Sequence, residues 1–231
     1  MQVIKYCLVY IVFLYSLAYA VSAYSANNSI YLTQAGSSAL TLNITQTGGG
    51  NVVGTANARA TLSGNSMTVD LDQIGTGNTL AATVAQANSS SFTLRSTGDT
   101  NVSSLTIGGT GDTAGSDFDL AETGDSNALT FVQGAAATAT SGNTDLVITG
   151  TSNDLNITSE VVGATIDIEI DGSSNDLDSR MTGNANSSLK LDLTGSSNNI
   201  DVDQTNASGS ISGIVDIVAV TTSGIIDIDQ N

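Results

Sequence analysis

The sequence predicts an all-β solenoid, in which strand-turn-strand repeats of about 22–27 residues coil into two stacked parallel sheets. Three observations predict it. Gly-x-x-Asn recurs with its glycine at Gly48, Gly75, Gly98, Gly124, Gly150, Gly172 and Gly195, at intervals of 27, 23, 26, 26, 22 and 23 residues. Apolar residues stand at fixed offsets on both sides of each glycine. The 231 residues include only six tyrosines and four phenylalanines and no tryptophan or proline. Repeats at a period of about 20 to 50 residues mark units that cannot bury their apolar face alone and must stack on their own copies. Gly, Ser, Thr, Asn and Asp dominate the rest, a composition that suits a disordered polymer. The regular register of the apolar positions argues against that reading.

The N-terminus reads as a secretory signal peptide over 1–23, with one repeat domain over 24–231. Lys5 precedes an apolar run from Tyr6 to about Leu17, and the small-residue sites Ala18-Tyr19-Ala20 and Val21-Ser22-Ala23 follow it. That order of charged, apolar and cleavage regions places cleavage after Ala20 or Ala23. The apolar core is shorter than the roughly 20 residues a membrane-spanning helix needs. Cys7, the single cysteine, leaves with the leader, so no disulfide framework is available and the external location rests on the leader alone. Four basic residues (Arg59, Arg95, Arg180, Lys190) then stand against 22 acidic ones, a net charge of −18. Phosphate backbones would repel such a chain, which excludes a nucleic-acid partner. The charge suits a protein that stays soluble until it assembles.

The first strand of each repeat precedes the glycine. With Gly36 as a degenerate first copy, the residues four before are Leu32, Ile44, Leu71, Leu94, Leu120, Leu146, Ile168 and Leu191. The residues six before are Ile30, Leu42, Val69, Phe92, Phe118, Thr144, Ile166 and Leu189, and polar residues mostly stand between the two columns. A period of two is a strand with one face inward. An inward glutamine column is predicted at Gln34, Gln46 and Gln73, two before the glycine. Glu122 falls in the same column, where it needs a partner, a proton or a local register shift.

The turn comes next. Glycine takes positive φ freely, and asparagine tolerates the left-handed region while bonding nearby backbone. Asn51, Asn78, Asn101, Asn127, Asn153, Asn175 and Asn198 are therefore read as structural, with a hydrogen-bonded ladder along the stack as their expected arrangement. The second strand follows, with Val53, Leu80, Ser103, Leu129, Leu155, Leu177 and Ile200 five residues after the glycine. The chain reaches Ile226-Asp227-Ile228-Asp229-Gln230-Asn231 in strand alternation, so both ends of the stack are expected to be open edges.

Leu42-Asn43-Ile44-Thr45-Gln46-Thr47-Gly48-Gly49-Gly50-Asn51 and Val69-Asp70-Leu71-Asp72-Gln73-Ile74-Gly75-Thr76-Gly77-Asn78 resemble the curlin repeat of bacterial curli, the functional amyloid of biofilms. Ile30-Tyr31-Leu32-Thr33-Gln34-Ala35-Gly36 is a partial match. Gln86, Gln133 and Gln204 match the family's second glutamine in some repeats, whereas later repeats carry Ser96, Glu122, Ile148, Ile170 and Leu193 in the first glutamine column. The resemblance implies a homopolymer that grows head to tail into extracellular fibres for matrix and adhesion. It also implies a nucleator subunit and an outer-membrane export pore as partners.

Other functions find less support. The chain has no histidine, its one cysteine leaves with the leader, and no coherent acid-base pair is evident, so no enzyme and no cofactor are expected. Outward aspartates on neighbouring repeats could take up Ca²⁺, although the β-roll calcium motif is only approached, once, at Gly108-Gly109-Thr110-Gly111-Asp112. Their simpler role is a charged face that delays aggregation. The alternative functions for the same fold are a monomeric surface adhesin and an ice-binding protein. Thr47, Thr97, Thr123, Thr149 and Thr194 form a column for the latter, interrupted at Ala35, Ile74 and Asp171.

Overall fold

The computed structural model describes residues 18–230 apart from 25–28, 38, 49, 55–59, 76, 99–100, 109–113, 125, 135–141, 161–162, 184–186 and 207–212. Every regular element among them is a strand. Sheet A holds, in spatial order, β1 (Ala18–Tyr24), β3 (Thr41–Thr47), β5 (Thr68–Ile74), β7 (Ser91–Thr97), β9 (Asp117–Thr123), β11 (Asn143–Thr149), β13 (Thr165–Asp171), β15 (Ser188–Gly195) and β17 (Ile214–Thr221). Sheet B holds β2 (Thr33–Ser37), β4 (Ala60–Gly64), β6 (Thr79–Gln86), β8 (Val102–Ile107), β10 (Ala128–Gln133), β12 (Asp154–Ser159), β14 (Asp176–Gly183), β16 (Asn198–Asn206) and β18 (Gly224–Gln230). The chain alternates between the sheets and every pairing is parallel, which makes a β-solenoid of the predicted class.

The core lies between the sheets because the alternation of the sequence is kept in every rung. β3 and β11 are buried at every second position, at Leu42, Ile44 and Gln46 and at Thr144, Leu146 and Ile148. In-register pairing sets like on like, so that one inner file runs from Ile44 through Leu71 and Leu94 to Leu120. In the neighbouring file the rings of Phe92 and Phe118 stack with centroids 4.9 Å apart and planes 8° from parallel. Stacking of this kind adds to the burial of each ring.

Two expectations are corrected. The spacing of the degenerate copy at Gly36 puts Ile30, Leu32 and Gln34 in the same columns as Leu42, Ile44 and Gln46. Instead Gln34 pairs with Leu62 in sheet B, and Ile30 bridges Val53 there. Gly36 precedes Gly48 by only 12 residues, half a repeat, and half a coil carries the chain to the opposite sheet. The turn chemistry puts asparagine in the left-handed position. The residue before it takes that position, with φ of 62° at Ser126, 60° at Ser152, 60° at Ser174 and 60° at Ser197. This leaves each asparagine free to turn its side chain inward.

Residues 1–17 of the leader lie outside the described residues. Ala18–Tyr24, which holds both cleavage positions, forms β1 and pairs with β3 from Ala18 opposite Thr41 to Tyr24 opposite Thr47. Cleavage after Ala20 would leave Val21–Tyr24 of this strand opposite Ile44–Thr47, and cleavage after Ala23 would leave Tyr24 alone.

Candidate functional site

The features with capacity for recognition are two polar ladders inside the coil, the acidic outer face and the ends of the stack. The asparagine ladder runs beneath the Gly-x-x-Asn turns. Asn51 Nδ2 donates to Asn78 Oδ1 at 2.7 Å, Asn78 to Asn101 at 2.7 Å and Asn101 to Asn127 at 2.7 Å. Asn127 donates to Asn153 at 2.8 Å, Asn153 to Asn175 at 2.8 Å and Asn175 to Asn198 at 3.1 Å. All seven are buried, and Asn127 and Asn153 also donate to the carbonyls of Gly124 and Gly150 in their own turns. A buried amide without partners costs about 1–3 kcal/mol, so each side chain both needs the ladder and holds its neighbour in register. The turn glycines are required by the same stacking. A Cβ on Gly124 would fall 1.7 Å from the carbonyl oxygen of Gly98.

The three predicted glutamines are buried but belong to two columns. In sheet A, Gln73 Nε2 donates to Gln46 Oε1 at 2.9 Å, and Ser96 Oγ continues the chain to Gln73 Oε1 at 3.2 Å. In sheet B, the file of Gln34 passes through Leu62, Val84 and Ile107 to Gln133, then Ser159, Met181, Gln204 and Gln230. Gln230 Nε2 donates to Gln204 Oε1 at 2.8 Å, whereas Gln34 Nε2 is buried without a partner. Gln86 stands aside from this file, because β6 shifts register against β4 there.

Sequence reasoning missed the opposite corner, where sheet B returns to sheet A. The left-handed residues there are Ser66, Ser89, Gly115 and Gly163, each followed by a buried residue at Met67, Ser90, Ser116 or Ala164. Ser90 Oγ accepts from Met67 N at 3.0 Å, and Ser116 Oγ accepts from Ser90 N at 3.3 Å. A left-handed Ser or Gly followed by a buried and mostly small residue is the one sequence signal of this corner.

Glu122 stays in register between Ser96 and Ile148, without the shift that would have turned it outward. It is fully buried, and neither carboxyl oxygen nor the Ser103 hydroxyl meets a hydrogen-bond partner. Burial pushes its pKa up to about 7 against a smaller lowering by nearby Ser103. A proton is therefore the counterpart that the sequence demanded, taken up as the pH falls.

On the outer face Asp119, Asp145 and Asp167 lie opposite one another on successive rungs. Partial burial, then Asp119, Asp167 and Asp117, raise the pKa of Asp145. Lys190 follows Asp167 in this file and Thr93 precedes Asp119, with Arg95 in the next outward column. Arg95 Nη1 lies 3.1 Å from both Asp70 and Asp72, and Lys190 Nζ lies 3.3 Å from Asp167 and 2.7 Å from Asp192. Among the described residues no group of three or more carboxylates, histidines or cysteines is placed to hold a metal, and 109–112 of the partial β-roll motif lie outside them.

The two ends of the stack differ. Inner residues near the N-terminal end are buried, as at Ile30, Leu32, Leu42 and Ile44. In the last rung Ile226 and Ile228 are 39% and 44% exposed, although Ile200 and Val202 beneath them are fully buried. Among the described residues, strands β17 and β18 each have a partner on one side only.

No family model, no curated protein and no solved structure matches this chain.

Proposed function

We propose that the protein is exported, loses its leader, and stacks end on end with its own copies into extracellular fibres of the curli type that serve as matrix and adhesive surface. The observation that carries this reading is the in-register parallel stacking of like residues from rung to rung, as in the buried asparagine ladder from Asn51 to Asn198. A parallel strand with an apolar inner face is a template for a further strand of the same pattern. Stacked amides of this kind are the side-chain ladders of cross-β assemblies, although here the asparagine column gives way to Gly224 beyond Asn198. The resemblance of Leu42–Asn51 and Val69–Asn78 to the curlin repeat supports the same reading, and with it the export pore and nucleator as partners. The stacked aspartates oppose assembly by mutual repulsion, and Ca²⁺ binding along that face is the counterpart that would relieve it.

The test is electron microscopy and light scattering of the exported, processed chain at neutral pH, with and without Ca²⁺. Unbranched fibres with a cross-β repeat of about 4.8 Å support the proposal. Fibres only in Ca²⁺ would place the switch on the acidic face. A folded monomer under both conditions overturns it and favours the adhesin or ice-binding reading.

A further inference from the structure

Beyond the fibre reading, we infer that each copy carries a proton-operated seam at Glu122. With this side chain neutral the coil is one continuous stack. With it ionised, the rung of β9 and β10 parts from its neighbours while the rungs further away stay closed.

Glu122 stands where two differently built columns meet. The inner column two residues before each turn glycine runs in register through Gln46, Gln73, Ser96 and Glu122 to Ile148 and Ile170, all of them buried. On the N-terminal side of Glu122 the column is a hydrogen-bonded chain. Ser96 Oγ donates to Gln73 Oε1 at 3.2 Å, Gln73 Nε2 donates to Gln46 Oε1 at 2.9 Å, and Gln46 Nε2 donates to the Val52 carbonyl at 3.1 Å. On the other side the column turns apolar, and Ile148 offers the carboxyl nothing to bond.

The inner face around it holds no compensating charge. Among the described residues, the inner positions of β7, β8, β10 and β11 carry only Phe, Leu, Ile, Ser, Thr and Gln. The other charged residues of these strands and of β9 itself, Arg95, Asp117, Asp119 and Asp145, are exposed. Both oxygens of Glu122 lack a partner, and so do the buried hydroxyls of Ser103 in the preceding repeat and Thr144 in the following one. Ser103 lies in a file between Leu80 and Leu129, so that a short polar side chain replaces a leucine beside the carboxyl. These three unsatisfied side chains fall on successive rungs.

The proton decides how Glu122 can join the polar chain. A neutral carboxyl has an O–H to donate, and Ser96 Oγ on the adjoining strand, whose own hydrogen goes to Gln73, keeps lone pairs that a rotated Glu122 can reach. A carboxylate can only accept, so it competes with Gln73 for the Ser96 hydrogen. It is also a buried charge without a counter-charge, which the interior penalises severely. Water is the partner that remains, and parting of the rung admits it. On the outer face Asp119 and Asp145 lie opposite each other across the same boundary, and their repulsion favours parting there. In a stack whose rungs touch only their neighbours, an opening at one rung stays local.

Amide hydrogen exchange of the soluble full chain, read by mass spectrometry at pH 5, 6, 7 and 8, tests the seam. Each rate is divided by that of the same peptide in the unfolded chain. The closed rung holds the proton more tightly than the open one, so the opening constant of β7 to β12 should rise about tenfold per pH unit towards about pH 7 and level off above it. Strands β3 and β15, three rungs away on either side of β9, should keep their protection throughout. Glu122→Gln and Glu122→Leu, which match the glutamine and aliphatic residues of the column, should each hold β7 to β12 at the pH 5 protection up to pH 8. Asp145→Asn should retain the fall, which separates the inner carboxyl from the outer ones. Circular dichroism at pH 5 checks that each variant folds, and the regional pattern of the unaltered chain is a test by itself. Protection that does not change with pH, an equal fall in β3 and β15, or a fall that survives both Glu122 substitutions overturns the seam. These outcomes are read on single chains and leave the fibre proposal to its own test.

Discussion

Gly150 lies so close to Gly124 on the preceding rung that a Cβ on Gly150 would fall 1.7 Å from the Gly124 carbonyl oxygen. Its φ of 148° is also one that residues with side chains rarely adopt. Gly150→Ala must push two rungs apart at the corner where the asparagine ladder runs. The expected loss is on the order of 3 kcal/mol or more, read by denaturant unfolding. In a stack held by nearest neighbours, the damage should split the coil into two less cooperative blocks.

The ladder predicts a positional effect. Asn127 accepts from Asn101 and donates to Asn153, Gly124 and, at 3.5 Å, Thr149, so Asn127→Ala removes four bonds and leaves buried groups unpaired. Asn198, the last member, accepts from the side chain and the backbone N–H of Asn175 while its own Nδ2 has no partner. Asn127→Ala should cost about 2–3 kcal/mol and Asn198→Ala about 1 kcal/mol, measured as shifts in the unfolding midpoint at constant m. Equal losses would contradict a cooperative ladder.

Glu122 predicts the pH dependence. Its pKa in the fold is about 7, against an ordinary value of 4.5, so the native state binds the proton more tightly than the unfolded chain. Stability contributed by the protonated group is whole below about pH 4.5 and is lost as pH rises through about 7. Glu122→Gln, which keeps the shape and cannot ionise, should stabilise the fold at pH 8 by on the order of 3 kcal/mol and have little effect at pH 4. Thermal unfolding of both proteins across this range reads the difference. A constant gap between them would mean that the carboxyl is solvated or paired.

The legible part of the fold is the part written in short fixed spacings. Alternation before each glycine marks the strands of sheet A, and the glycine and asparagine mark one corner of the coil, because close stacking there admits neither a Cβ nor an unpaired amide. The sheet to which Gln34 belongs is not legible in the same way. Its local pattern is that of a sheet A strand, and only the count of half-coils between Gly36 and Gly48 assigns it to sheet B. The corner at Ser66, Ser89, Gly115 and Gly163 is hidden because the segments leading into it vary in length, so no fixed spacing survives. The pairing of Arg95 with Asp70 and Asp72 joins residues 25 and 23 positions apart, and becomes visible only once the rungs are stacked.

The stacked carboxylates Asp119, Asp145 and Asp167 predict salt sensitivity. Asp145→Asn relieves repulsion on both sides and should stabilise the fold by a few tenths of a kcal/mol at low ionic strength. Because exposed charges are screened, the gain should fade towards about 1 M salt. Unfolding midpoints at low and high salt provide the check. A gain that persists at high salt would point to packing instead of charge.

The central proposal is that the protein stacks on its own copies into fibres, and seeded growth tests it most directly. Sonicated fibres are added to fresh processed monomer at neutral pH, and elongation is followed by light scattering and electron microscopy. The account predicts immediate growth without a lag, and fibres that diffract at about 4.8 Å along their axis. A folded, monodisperse monomer that neither forms fibres nor extends seeds would contradict it.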